Sequence, residues 1–288
     1  MQPFEWMVRD TPQTLWIEKK GLMVWLAEVF GVLGGGLYLV ALYFDNFPGL
    51  LAGWLLVAGL KSIFHFAHLG RPFRFWRLIL KPGSSWLARG FLFVALFIFF
   101  GALQLALSAW LPGTPAEGVV KMAAGIAAFL VATYAGFVMN YVKGISLWNS
   151  ALLPLLFLSS GLSGGLAVLL LFGLSGDPGA GMMILSGLRW LLVISALLIM
   201  TYLSGVRSSG PPGERSVREL TRGRRAALLW WGVLFLGLAI PLGLSFIAYY
   251  DGGVSQLGLI ITSVCTLTGV FSLNYCLLKG ASYGPLIG

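Results

Sequence analysis

Six side chains able to carry protons or to make hydrogen bonds are expected towards one end of the long apolar stretches of this sequence. They are Glu28, Lys61, His65, His68, Tyr134 and Asn140. Ionisable groups in such stretches are costly to bury, and they usually mark a functional site. An acid, an amine, two imidazoles and a phenol can exchange protons with one another and with a bound molecule, so their chemistry points to proton transfer.

The spacing of these residues predicts where they meet. Lys61, His65 and His68 stand at positions i, i+4 and i+7, and therefore share one face of a helix. Glu28 lies about two turns into the preceding apolar stretch, at a depth of roughly 10–12 Å that matches Lys61 in an antiparallel neighbour. We predict that the six polar residues cluster in one leaflet of a membrane and that the opposite half is almost purely apolar.

Two interpretations of this cluster are open. The first is a buried ion pair between Glu28 and Lys61 that serves stability alone, with His68 extending towards the interface. The second is a site for a lipid-soluble molecule with a polar head, which enters from the bilayer and exchanges protons with one aqueous face. We favour the second, because a chain that needs only stability more often has leucine at such positions.

Metal chemistry is poorly supported by the residues present. The two histidines, His65 and His68, are three residues apart on one helix and cannot ligate a haem from opposite sides. The two cysteines, Cys265 and Cys276, are too few for an iron–sulfur cluster and too far apart for a CxxC pair, so we interpret them as buried small hydrophobic residues. We predict that the chain binds no haem, iron–sulfur cluster or other metal, so that if the protein does redox chemistry its electrons must leave to a partner's cofactor.

The elements that position these residues are predicted from composition. The chain has 288 residues, of which 58% are hydrophobic and 10% charged. Apolar runs of about 18 residues or more, each long enough to cross a bilayer, predict an all-α integral membrane protein of about eight transmembrane helices. The predicted helices cover residues 21–44, 48–69, 86–110, 119–141, 149–174, 181–203, 226–249 and 253–276.

The first twenty residues differ from the rest of the chain. Residues 1–20 form a polar segment without the features of a signal peptide, and we predict a short interfacial helix that carries Trp6 and Trp16. Residues 21–288 then form the eight-helix domain.

The basic residues are concentrated on one side of the predicted bundle. They are Arg9, Lys19, Lys20, Arg71, Arg74, Arg77, Lys81, Arg89, Lys143, Arg207, Arg215, Arg218, Arg222, Arg224, Arg225 and Lys279. The other side has Lys121 and Arg189, both predicted near helix ends, together with the acidic Asp45, Glu117, Asp177 and Asp251. The positive-inside rule then places both termini in the cytoplasm, and this topology explains the net charge of +9 without nucleic-acid binding.

Two pairs of glycines are spaced four residues apart within the apolar stretches. Gly31 and Gly35 lie in the first predicted helix, and Gly161 and Gly165 lie in the fifth. This spacing allows close approach of neighbouring helices, which we interpret as ordinary packing.

The loop after the second helix carries a specific motif. Residues 68–77 read HLGRPFRFWR, and residues 85–90, which begin the third helix, read SWLARG. Together they resemble the NrfD / polysulfide reductase membrane-subunit family, which typically has an HLGRPxRFW run followed by an SWLxRG-like element. Tyr134 in the fourth helix and the sequence between Leu147 and Leu162 also look like this family, and the helix layout is similar over nearly the whole chain.

The resemblance implies a haem-free, quinone-reactive anchor with eight helices in the inner membrane of a prokaryote. Such a subunit exchanges electrons between menaquinone or ubiquinone and a four-cluster ferredoxin-like iron–sulfur partner, which serves a molybdopterin catalytic subunit that holds the active site for the terminal substrate. In that family a histidine and a helix-four tyrosine are associated with quinone binding, which carries over to His68 and Tyr134. Asn140 and Arg71 are further candidates for quinone contact.

The remaining site residues are assigned to proton handling. These are Glu28, Lys61 and His65. The first helix departs from the family, because Lys19, Lys20 and Gly21 replace an entry that is rich in aromatic residues and proline, so Glu28 is assigned from its depth alone.

The second loop is predicted to form an interfacial helix. Phe73, Trp76 and Leu80 recur at i, i+3 and i+7, while Arg71, Arg74 and Arg77 can bind either lipid phosphates or the partner subunit.

Three alternatives remain beside the quinone-reactive anchor. A transporter would have broken helices and polar groups near the midplane in matching halves, whereas the polar cluster here is confined to one leaflet and one half of the chain. A redox-coupled proton-translocating subunit without direct quinone chemistry is a narrower alternative. A purely structural anchor is the third, and it predicts that His68 and Tyr134 are dispensable for turnover.

Overall fold

The computed structural model describes residues 11–14, 16–80, 83, 85–172, 178–253 and 255–284. Within these ranges, eight helices are long and apolar enough to cross a membrane. The predicted all-α membrane fold is therefore confirmed. Trp6, Lys81, Asp177 and the predicted helix end at Leu174 lie outside the described residues.

Within the described residues, the protein has eight helices of spanning length, one shorter α-helix, 3₁₀ segments at Lys19–Gly21 and Pro72–Leu80, and two short strands. The spanning helices are α1 (Leu22–Tyr43), α2 (Phe47–His68), α3 (Trp86–Trp110), α4 (Pro115–Tyr141), α5 (Leu153–Leu171), α6 (Pro178–Arg207), α8 (Leu228–Tyr250) and α9 (Gln256–Lys279). The shorter α7 covers Pro211–Arg222, and the strands are β1 (Thr11–Pro12) and β2 (Ser282–Tyr283). The predicted starts at 119 and 149 differ from Pro115 and Leu153 by four residues each.

Polar side chains at the turns start several of the helices. The side chain of Asn46 accepts a hydrogen bond from Gly49 N at 2.7 Å, and that of Ser85 accepts one from Ala88 N at 3.4 Å. The same capping contact is made by Thr114 before α4 and by Ser255 before α9. Each cap satisfies a backbone N–H that has no partner within its own helix.

Two non-spanning helices lie in the loops. The helix predicted in the second loop is present as a 3₁₀-helix over Pro72–Leu80, with Phe73 93% exposed, and its interfacial position stays a prediction. Helix α7 was not predicted, although Val217 and Leu220, three residues apart, are both buried in it. Its sequence is rich in arginine, which hides such a short apolar face from a search for membrane spans.

The predicted interfacial helix at the N-terminus is wrong over the described residues. Residues 11–12 form β1 instead, which pairs antiparallel with β2, and only a 3₁₀ turn at Lys19–Gly21 precedes α1. Backbone pairing with the far end of the chain replaces local helix formation, a long-range contact that a local pattern does not contain.

A terminal clasp, formed by β1, β2, Glu18 and Lys279, joins both chain ends at one end of the bundle. Gln13 N donates to Ala281 O at 2.9 Å beside the strand pair. The Lys279 ammonium donates to Glu18, and this hydrogen bond lowers the pKa of the Glu18 carboxyl below its usual range. The clasp therefore places the entry to α1 next to the exit of α9.

Helices α1 and α5 form the centre of the bundle. In the most apolar 18-residue stretch of each helix, 67% of the residues of α1 and 78% of those of α5 are buried, compared with 22% for α2. A side chain at Gly36 would overlap the backbone of Gly161, and one at Gly165 would lie 2.7 Å from the backbone of Leu37. The predicted close approach of the glycine-bearing helices is confirmed, and it lets α1 carry Glu28 through the interior.

Candidate functional site

Glu28 of α1 and Lys61 of α2 form a buried ion pair. Lys61 Nζ lies 3.5 Å from Glu28 Oε2, and the two side chains are only 3% and 9% exposed. Lys61 Nζ also donates to Ala27 O at 3.4 Å. The two residues lie at the same depth, as the spacing predicted, and each compensates the charge of the other away from water.

The space for the Lys61 side chain is made by Gly31. A Cβ at residue 31 would lie 2.7 Å from Lys61 Nζ and 2.8 Å from its Cδ. Lys61 also ends a π-helical segment, Leu56–Lys61, whose wider turn changes the direction in which later side chains of α2 point. Gly31 thus has a more specific role than the packing contact expected from its spacing.

His65 lies at the edge of the ion pair. Its Nε2 is 3.9 Å from Glu28 Oε1, which is within ion-pair range when the ring is protonated and longer than a hydrogen bond. The side chain is 42% exposed, yet its Nδ1 is buried and has no hydrogen-bond partner among the described residues. His65 therefore connects the buried carboxylate with the outer surface of α2 and keeps one ring nitrogen available for a ligand.

Tyr134 of α4 lies next to the ion pair. Lys61 Nζ is 5.7 Å from the centre of the Tyr134 ring, and the residue is only 4% exposed. On its other side, the phenol lies against Gly90 of α3, where a Cβ would overlap the ring. We name Glu28, Lys61, His65 and Tyr134 the Glu28 cluster; the structure assembles it from three helices.

His68 points away from the Glu28 cluster towards the entry of α1. Its Nδ1 lies 3.0 Å from Lys20 O. A carbonyl oxygen can only accept, so Nδ1 carries the hydrogen, and in the neutral ring Nε2 is left as an acceptor. In the described part of the chain, no hydrogen bond or ring contact joins His68 directly to Tyr134.

Asn140 and Arg71 are not brought to the Glu28 cluster. Asn140 Oδ1 accepts from Lys143 at 3.5 Å, and Lys143 also donates to Asn149, in the loop between α4 and α5. Six residues after Tyr134, Asn140 faces about 120° away from it around the helix. Arg71 is exposed at the surface just after α2.

The SWLARG element fastens α3 to α4 beside Tyr134. The ring of Trp86 stacks on Phe137 with centroids 5.3 Å apart and planes 4° from parallel. Arg89 lies over Trp86 at 4.7 Å and donates through Nη2 to Gly83 O at 2.7 Å. The motif therefore holds the helix end on which Gly90 leaves room for the phenol.

The opposite half of the bundle contains buried polar groups, so the prediction that it is almost purely apolar is wrong. Tyr38 OH donates to Gln104 Oε1 at 2.7 Å, and Gln104 Nε2 donates to Ser108 Oγ at 2.8 Å. Ser108 in turn donates to Glu117 Oε1 at 2.5 Å. Each helix contributes only one or two of these groups, so none interrupts the apolar composition from which the prediction was made.

Arg189 lies deeper than predicted. It stands eleven residues into α6 and is 5% exposed. Its Nη2 donates to Ser245 O at 2.7 Å, and its guanidinium lies 5.2 Å from the ring of Phe246 and 4.9 Å from that of Tyr249. The prediction of a position near a helix end is wrong, because α6 runs from Pro178 to Arg207 and Arg189 lies about three turns inside it.

The cysteines and the other possible metal ligands do not form a second site in the described part of the chain. Cys276 is buried and Cys265 is half-buried, and both are free thiols. Among the described residues, no group of three or more His, Cys, Asp or Glu side chains is placed to hold a metal ion.

Comparison with known proteins decides the family. The family described as polysulphide reductase, NrfD, matches residues 22–283, a span that begins with α1 and ends in β2. The chain belongs to the NrfD family. The resemblance found in the HLGRPFRFWR and SWLARG motifs is thereby confirmed.

Individual relatives match most of this NrfD-family protein. It is 29% identical over 256 residues to the C subunit of polysulfide reductase from Wolinella succinogenes, an alignment that covers 80% of the present sequence and 79% of that subunit. It is 23% identical over 306 residues to an NrfD homolog of Haemophilus influenzae, covering 93% and 94%. Both alignments span most of each protein, so the similarity is not confined to the HLGRPFRFWR and SWLARG motifs.

Proposed function

We propose that this chain is the haem-free membrane anchor subunit of a respiratory oxidoreductase complex, and that it exchanges electrons and protons with menaquinone or ubiquinone. The observation that carries the proposal is the Glu28 cluster, in which an acid, an amine, an imidazole and a phenol from three helices meet at one depth. Similarity to a subunit of a polysulfide reductase supports a role within a redox complex.

The residues at this site suit a quinone head group. Its two oxygens need hydrogen-bond donors or acceptors, and the Tyr134 phenol, His68 Nε2 and His65 Nδ1 offer them. Ile63 on α2 and Leu87 on α3 are 61% and 54% exposed on the outer surface, so a lipid-soluble molecule meets apolar side chains on its way to the site.

Different residues of the site are proposed to handle the two protons of the quinol. A bound quinol supplies two electrons and two protons when it is oxidised, and the reverse reaction consumes them. His68 accepts a proton at Nε2, because Lys20 O holds the hydrogen of the neutral ring on Nδ1. Tyr134 donates a hydrogen bond to the oxygen at the other end of the head group, which fixes its orientation.

The Glu28 cluster handles the second proton. Glu28 accepts this proton in the buried site and passes it to His65. The His65 side chain contacts Glu28 and is also 42% exposed, so it can release the proton outside the buried site. Lys61 compensates the carboxylate charge and keeps the acid in position. The electrons pass to the iron–sulfur partner, whereas the protons pass to these titratable side chains, so the two products of quinol oxidation separate.

The partner side of the molecule follows from the basic surface. We infer that a four-cluster ferredoxin-like subunit, with its molybdopterin catalytic subunit, docks on the end of the bundle that holds the terminal clasp. The 3₁₀-helix Pro72–Leu80 lies at this end and exposes Arg74, Trp76 and Arg77. By the positive-inside rule this end faces the cytoplasm of a prokaryotic cell, and the clasp holds residues 11–13 and 281–283 at that end.

Substitutions in the assembled complex test the proposal. His68→Ala and Tyr134→Phe are each expected to lower quinol-dependent turnover about 100-fold, while reduction of the catalytic subunit by a soluble viologen dye continues. Tyr202→Phe is the matched control, because this buried tyrosine of α6 bonds Leu147 O away from the site. Full quinol turnover in both site variants, with normal assembly, would reject the quinone site in favour of a purely structural anchor.

A further inference from the structure

A second polar site lies in the half of the bundle formed by α5, α6, α8 and α9. These helices enclose a cavity of about 30 Å³. Four hydroxyl-bearing residues line it, namely Ser160 and Ser163 of α5, Ser195 of α6 and Thr266 of α9. The rest of the lining is apolar or glycine, so the hydroxyls are the polar side chains that a small ligand meets there.

Two of these hydroxyls have no protein partner. Ser160 Oγ and Ser163 Oγ are buried and make no hydrogen bond among the described residues, in side chains that are 5% and 3% exposed. The other two are already engaged, since Ser195 Oγ donates to Ser159 Oγ at 3.2 Å and Thr266 Oγ1 donates to Thr262 O at 2.8 Å. Buried polar groups are almost always satisfied, so two orphan hydroxyls facing one cavity indicate a ligand.

The cavity lies near the middle of the bundle. Ser163 stands ten residues into α5 and Thr266 ten residues into α9, each about 15 Å from the start of its helix. Hydrocarbon offers no hydrogen bond at this depth, and the hydroxyls cannot reach bulk water. Their partner must therefore be held inside the protein.

The chemistry of the lining selects the ligand. No charged side chain lines the cavity, so an ion would remain uncompensated at the centre of a membrane. The volume accommodates about two water molecules and is far too small for a quinone ring. We propose that the cavity is an internal water site. Ser160 and Ser163 bind one or two waters there, and the hydroxyl oxygens of Ser195 and Thr266 accept further hydrogen bonds from these waters.

The backbones of α8 and α9 shape one side of this site. A Cβ at Gly237 of α8 would lie 2.5 Å from the Cα of Gly269 on α9, and both glycines line the cavity. The π-helical segment Leu228–Ala239 forms this part of α8, and its wider turn leaves space beside α9. Close contact on one side and a wide turn on the other leave a small space between the helices.

Radiolytic hydroxyl-radical labelling of the intact complex tests the site, because radicals formed from bound water oxidise buried neighbours. Leu192 lines the cavity and is 2% exposed, whereas Leu169 of α5 is 0% exposed and lies outside the lining. We expect Leu192 to be labelled several-fold more than Leu169. Equal labelling of the two leucines in the wild-type protein would overturn the proposal.

Two variants assign the water to the orphan hydroxyls. The double change Ser160→Ala and Ser163→Ala is expected to reduce the labelling of Leu192 to the level of Leu169, while Ser272→Ala, buried on α9 outside the lining, leaves it unchanged. Labelling that persists in the double variant would contradict binding by these serines. A dry cavity predicts instead a rise in Tm on removal of the two orphan hydroxyls. None of these outcomes depends on quinone turnover, so the water site stands or fails separately from the proposed function.

Discussion

Gly90 of α3 lies directly against the phenol of Tyr134 of α4, so closely that one methyl group at residue 90 would overlap the ring. The glycine belongs to the SWLARG element, and the tyrosine lies 44 residues later in the chain. Their contact makes the motif and the proposed quinone ligand one structural unit. The requirement for glycine at this position is thus steric, since a side chain would displace the phenol.

Gly90→Ala is expected to destabilise the protein by about 1–3 kcal/mol and to lower quinol-dependent turnover. The added methyl group forces Tyr134 out of its position beside Lys61, which thermal unfolding and a quinol assay would each detect. Gly205→Ala in α6 is the matched control, because nothing lies within 4 Å of a Cβ there. Equal behaviour of the two variants would show that the contact is unimportant.

Glu28→Gln is expected to destabilise the protein by about 3–5 kcal/mol, since it leaves the Lys61 ammonium buried without its carboxylate. Adding Lys61→Met removes that unpaired charge and restores most of the stability, as a double-mutant cycle of melting temperatures would measure. Turnover stays low in the double variant, because the acid is missing. Recovery of turnover together with stability would mean that the ion pair has a structural role alone.

Gln104→Leu is expected to cost about 1–3 kcal/mol, because it leaves the buried Tyr38 hydroxyl without an acceptor. Adding Tyr38→Phe makes both partners apolar and restores stability. Turnover is expected to stay near the wild-type value in the double variant. The Gln104 amide lies in the middle of the hydrogen-bonded row Tyr38–Gln104–Ser108–Glu117, and an amide does not relay protons readily. Loss of turnover at normal stability would instead assign proton transfer to this row and favour the proton-translocating alternative.

Two cations in the opposite half of the bundle are expected to differ in importance. Lys121 contacts Asp45 at 2.6 Å, but the Asp45 side chain is 84% exposed, so Lys121→Ala changes stability by about 0–1 kcal/mol. Arg189→Ala is expected to cost about 2–3 kcal/mol, because it removes buried hydrogen bonds to Ser245 and the packing on two aromatic rings. Melting curves in one detergent would compare them, and a larger effect at Lys121 would contradict the assignment.

The spacing of charged residues predicted the central pair of the site correctly. Glu28 and Lys61 could be placed at one depth because helix rise is constant and neighbouring spans run antiparallel. The same reasoning grouped His68 with Lys61, whereas the structure turns His68 towards Lys20 O. The direction of a side chain at a helix end depends on the chain that packs beside it, which no periodicity records.

The amino-acid sequence by itself determined the membrane fold, the helix ends to within a few residues and the family motif, because hydrocarbon thickness and backbone hydrogen bonding leave few alternatives. Only the tertiary structure decided that Gly31 and Gly90 make room for Lys61 and Tyr134. It also revealed the hydrogen-bonded chain of side chains from the buried Tyr38 and Gln104 to the half-buried Ser108 and Glu117, and the serine-lined cavity. These features arise where single residues of separate helices meet, and such contacts depend on helix rotation and crossing, which apolar composition alone does not specify.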